Sequence, residues 1–82
     1  MKELPKKPLP TKDDALTYAR EMVPPNRWDT IEIAEGTTDD GGDGILLKPC
    51  EDCWIITYLT TGEERLWVDK SNGVVVKMVL DD

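Results

Sequence analysis

The sequence predicts an α+β fold: one N-terminal helix packed on an antiparallel sheet of four to five strands, ending in a C-terminal meander. Two observations predict it. Residues 11–23, TKDDALTYAREMV, carry apolar side chains at helical spacing and end against two prolines. Residues 56–79, ITYLTTGEERLWVDKSNGVVVKMV, read as three strands joined by two turns that each end in glycine. The length of 82 residues allows one small domain, with roughly 4 to 8 kcal/mol of stability. Residues 1–10 read as a flexible tail rich in proline and lysine, and residues 11–82 as the domain.

The helix opens on Thr11, an N-cap residue, with Asp14 three positions on completing a capping box. Asp13 and Asp14 place negative charge in the first turn, where the helix dipole favours it. Ala15, Leu16, Ala19, Met22 and Val23 form the apolar stripe, and Pro24 and Pro25 stop the helix. The two small alanines let it lie close against a sheet. Residues 28–34, WDTIEIA, alternate with Ile31 and Ile33 inward and read as a first strand. Residues 35–44, rich in glycine with Asp39, Asp40 and Asp43, read as a solvated loop at a hairpin tip. Residues 45–48 read as a short strand.

The two turns set the register of the meander. A three-residue turn ending in a left-handed glycine, at 60–62 and again at 71–73, pairs Leu59 with Glu63 and Lys70 with Val74. Ile56 then lies opposite Leu66, Trp54 opposite Val68, Leu66 opposite Met78 and Val68 opposite Val76. One face carries Trp54, Ile56, Tyr58, Leu66, Val68, Val74, Val76 and Met78, a core for the helix to cover. The other face carries Ile55, Thr57, Leu59, Arg65, Trp67, Val75, Lys77 and Val79, a mixed set with Trp67 expected on the surface. Ile55, Trp67, Val75 and Val79, with Lys77 among them, are more apolar than solvation requires, and tryptophan is enriched at interface hot spots. These five residues are the candidate partner-binding surface, Lys77 lying across from the Trp67 ring for a cation–π contact.

Composition narrows the function. A net charge of −7 repels phosphate backbones, so direct nucleic-acid binding is not expected; a protein partner or a weak homodimer is. No histidine is present, which removes the commonest general base and metal ligand. Cys50 and Cys53 form a CxxC, but a structural metal site takes about four ligands and no second pair exists. A thioredoxin-like pair opens a helix, whereas this one precedes a strand and encloses two acids that raise thiol pKa. The pair reads as a local disulfide or as two unreactive thiols. Counting Asp39 as the first position of an EF-hand loop puts Cys50 where a bidentate glutamate is needed, so that match fails. No nucleophile–base pair assembles. The expectation is therefore no catalytic residue, no metal and no cofactor. No apolar run reaches the roughly 18 residues of a membrane span, and the first ten residues lack a signal-peptide core, so a cytoplasmic location is expected unless a signal was removed.

The hairpin RLWVDKSNGVVVKM resembles the closing strands of PepSY-type modules, with Val68, Asp69, Gly73 and Val75 at the patterned positions and the helix DDALTYAREMV where such modules place theirs. The resemblance spans residues 11–80, its specific part about a dozen of them. It implies a non-catalytic binding module that restrains peptidases or binds ligands. Trp54 with VDKSNGVV also resembles the terminal hairpin of small NTF2-like immunity proteins. That likeness implies the alternative, an inhibitor or immunity protein binding a basic toxin or nucleic-acid enzyme through its acidic surface. The acidic loop and the CxxC belong to neither pattern.

Overall fold

A computed structural model describes residues 8–40 and 42–80. Helix α1 (Lys12–Met22) is followed by a 3-10 segment (Pro25–Thr30) and strands β1 (Glu32–Gly36), β2 (Ile45–Leu46), β3 (Cys53–Leu59), β4 (Glu63–Asp69) and β5 (Val75–Leu80). The strands form one antiparallel sheet in the order β1-β3-β4-β5-β2. This is the α+β arrangement expected, one helix on a five-stranded sheet.

Thr11 caps α1 through the expected box: its hydroxyl accepts from the Asp14 N–H at 3.2 Å, and Asp14 accepts from the Thr11 N–H at 3.3 Å. Ala15, Tyr18, Ala19 and Val23 are the buried residues of the helix and its C-cap, with Leu16 and Met22 only half-buried. Tyr18 was not part of the expected stripe. Its ring reaches the sheet while burial, and then Glu21 nearby, raise its hydroxyl pKa. The 3-10 segment replaces the first half of the expected strand, so Trp28 does not pair. Its indole N–H instead donates to the Val23 carbonyl at 2.8 Å, beneath the Arg20 guanidinium.

The main core lies between helix and sheet: Tyr18, Trp54, Ile56, Tyr58, Leu66 and Val68 with the two alanines of α1. Leu9 joins it at 1% exposure. Its carbonyl accepts from the Trp54 indole at 2.7 Å, and its N–H donates to the Lys70 carbonyl at 2.8 Å. Order therefore begins before Thr11, and the expected tail boundary at residue 10 is too late by at least this leucine. Residues 1–7 lie outside the described residues. Lys70 closes the corner, its ammonium 2.8 Å from both Glu35 and Asp52 and 4.5 Å above the Trp54 ring.

The β3–β4 register is as expected, from Leu59–Glu63 to Trp54–Val68. The turn at 60–62 takes another form, because Gly62 does not have positive φ. Gly73 does, at 69°, and Asp69 closes that turn by accepting from the Ser71 N–H and hydroxyl. Those two bonds hold the Asp69 carboxyl below its ordinary pKa. Gly73→Val is expected to cost about 2 kcal/mol, and Gly73→Asn about half that or less, because a β-branched residue resists the left-handed region that asparagine tolerates. Equal melting temperatures for the two variants would sink this account of the turn.

Candidate functional site

The site expected from sequence is built from β3, β4 and β5, and its fate turns on one residue. β4 and β5 pair as expected at Leu66–Met78 and Trp67–Lys77, but Val68 lies opposite Val75. Val76 is the extra residue of a β-bulge. The bulge shifts the phase of β5 by one: Val75 packs on the helix side, while Val76 joins Cys53, Ile55 and Trp67 on the other face.

That other face is closed over by the chain itself. β1 and β2 sit on opposite edges of the sheet, so the segment between them is a crossover, not a hairpin tip. Its path is marked by close contacts. A Cβ on Gly36 would meet the Ile55 Cδ1 at 2.8 Å, and one on Gly44 would meet the Val79 Cγ2 at 2.7 Å. Between them Lys77 Nζ donates to the carbonyls of Thr38 and Gly42, each at 2.6 Å, and stands 4.6 Å from the Trp67 ring centroid. Thr38 is buried and bonded to the backbone of Cys50 in both directions.

Of the five residues expected to meet a partner, Trp67 is 0% exposed, Lys77 6% and Ile55 9%. Val79 is half-buried against the same cluster, and Val75 is half-buried on the opposite face. The expectation of a surface Trp67 is thus corrected: burial by the crossover, not by another chain, removes the second apolar face from water. The Trp67–Lys77 cation–π contact is present as expected. One cost remains, since the Trp67 indole N–H is buried without a hydrogen-bond partner among the described residues.

Cys50 and Cys53 are free thiols beside this cluster. The buried Cys53 donates to the Gly36 carbonyl at 3.1 Å. Burial, then the neighbouring Cys50 thiol, then Asp69 and Asp52 push its pKa up to about 12. The thiolate is the nucleophile. In the folded protein at pH 8, iodoacetamide is therefore expected to modify the half-exposed Cys50 at least about tenfold faster than Cys53. Mass spectrometry of timed samples checks this, and equal rates at the two sites would contradict it. Among the described residues no group of three or more His, Cys, Asp or Glu is placed to hold a metal ion. Nor is any described helix long and apolar enough to cross a membrane.

The surface that stays apolar lies elsewhere, at the β2 edge. Five strands spaced about 4.8 Å apart make a sheet roughly 20 Å wide, and a helix with its side chains covers only about half of that. α1 packs on β1 and β3. On the same side, at the far end, Ile45 lies opposite Met78, and Leu80 follows two residues along β5. Ile45, Leu46, Leu47 and Leu80 are 52 to 60% exposed. Exposed Asp39, Asp40 and Asp43 precede this rim in the crossover, and Lys48 follows it. Sequence reading placed a short strand here but not its exposure, which depends on β2 falling at the sheet's edge.

Comparison with family models, with curated proteins and with solved structures returned no match for this chain.

Proposed function

We propose that this chain is a non-catalytic protein-binding module, whose contact surface is the apolar rim Ile45, Leu46, Leu47 and Leu80. The carrying observation is that these four side chains stay more than half exposed, whereas Ile55, Trp67, Val75, Lys77 and Val79 are buried or half-buried. Three consecutive exposed aliphatics on a sheet edge are costly to leave in water, and such patches mark interaction sites. The likeness of the C-terminal hairpin to PepSY-type modules supports the same reading. The test compares wild type with Leu47→Asp, a change at a side chain that is 60% exposed just after β2, as baits in the native host. The module reading expects a partner held by wild type and lost with Leu47→Asp, the loss persisting with the purified pair. Identical captures by both baits would overturn it.

The exposed carboxylates of Asp39, Asp40 and Asp43 support a second reading, an inhibitor or immunity protein acting on a basic toxin or nucleic-acid enzyme. A captured enzyme that loses activity on binding this chain decides for it.

A further inference from the structure

The sheet has two free edges, and they differ in chemistry. On β1, Glu32 and Glu35 are exposed, and charge at an edge discourages strand pairing. β2 carries no charge; Ile45 and Leu46 lie at its outer border. The Leu47 N–H donates inward to the Val76 carbonyl at 2.8 Å, so the alternation of a strand turns the Leu46 N–H and C=O outward. Gly44 lets β2 seat at this edge, since a Cβ there would lie 2.5 Å from the Met78 carbonyl oxygen. Residues 39–48 hold three aspartates and one base, Lys48; Asp43 is the aspartate nearest this edge in the chain, while Asp40 lies against Gly36 and Thr37 at the β1 end. A second copy would bring another −7 against this border, whereas a basic segment would meet opposite charge.

We propose that β2 accepts an added strand from a basic, extended segment of a partner protein. Its apolar side chains lie over Ile45 and Leu80, its main chain pairs with Leu46, and its Lys or Arg side chains meet Asp43 and the net negative charge of the chain. This rests on the binding-module reading and adds the mode and the partner's chemistry: main-chain pairing supplies affinity, and alternate side chains supply selectivity. The crossover thereby has two roles, covering Trp67 from below and placing Asp43 two residues before the edge strand.

The test uses the unaltered chain and three capped peptides of about ten residues, the span of a long strand. One alternates valine with lysine; one is the same with every second amide N-methylated on a single edge; one alternates valine with glutamate. The Val/Lys peptide is expected to slow hydrogen exchange at the Leu46 amide at least about fivefold under saturation. N-methylation on the pairing edge is expected to weaken binding about tenfold or more, and the glutamate peptide is expected not to bind. Equal affinity of the methylated and unmethylated peptides, with Leu46 unprotected, would overturn strand addition as mere charge attraction. Sedimentation showing the chain dimerising through β2, with peptide excluded, would overturn it in favour of a second copy. If the peptides fail while Leu47→Asp still abolishes capture of a host partner, strand addition falls and the binding-module reading stands.

Discussion

Trp67→Ala is expected to lower the free energy of unfolding by about 3 to 5 kcal/mol, the usual cost of emptying a large aromatic site in a core. A domain of this size has only several kcal/mol in total, so the variant is expected to be largely unfolded near 37 °C. The ring is fully buried between β4 and the crossover, touching Cys53, Ile55 and Val76. A surface interface tryptophan would cost almost nothing on truncation in the isolated chain. Urea denaturation distinguishes the two, and a loss below about 1 kcal/mol would show that the crossover does not seal this face in solution. Phenylalanine refines the test. Trp67→Phe removes an indole N–H that has no partner, whereas Trp54→Phe removes one that donates to Leu9 at 2.7 Å. Trp54→Phe is therefore expected to be the costlier by about 1 to 3 kcal/mol. The reverse order would mean that Trp67 has a partner, such as a bound water.

Lys77→Met is expected to cost about 2 to 4 kcal/mol, because two charged hydrogen bonds and a cation–π interaction disappear together. The methionine keeps the aliphatic stem that packs beside Trp67, so the loss reports on the ammonium. Its two acceptors, the Thr38 and Gly42 carbonyls, belong to the crossover and regain hydration only if that segment lifts. Local opening is therefore expected ahead of global unfolding. Hydrogen exchange reads it directly. The Thr38 N–H, bonded to the Cys50 carbonyl, and the Leu47 N–H, bonded to that of Val76, are expected to exchange much faster in Lys77→Met than in wild type. The β3 amides paired with β1 are expected to change less. Unchanged exchange at Thr38 and Leu47 would show that Lys77 does not hold the crossover down.

The helix was legible because its signals are local. A capping residue, its box partner, small residues at helical spacing and a pair of prolines act within a few residues of one another. The β3–β4 register was legible because the hairpin is short and its apolar pattern alternates cleanly. It survived even though Gly62 adopts a different turn, since the count of residues between the strands did not change. β5 was legible only in part. Val74, Val75 and Val76 are identical, so the run carries no phase, and nothing in it marks Val76 as the bulged residue. The partner-binding set failed for a related reason. Ile55, Trp67, Lys77 and Val79 do share a face, as their alternation requires, but alternation does not say what lies on it.

The sequence by itself determined the fold class, the helix and its cap, the hairpin pairing of β3 with β4, and the presence of two apolar faces on the C-terminal strands. These follow from period, turn chemistry and side-chain volume, all of which act between near neighbours in the chain. Only the tertiary structure decided how those faces are buried and which surface remains. The placement of β2 beside β5, rather than beside β1, draws residues 37–44 across the sheet and makes the acidic loop a cover. It also leaves Ile45, Leu46 and Leu47 on a free edge. The choice of edge depends on long-range contacts: Lys77 with two carbonyls of the crossover, and Gly44 against Met78 and Val79. Each joins residues more than thirty positions apart in the chain, a distance over which no periodic pattern carries information.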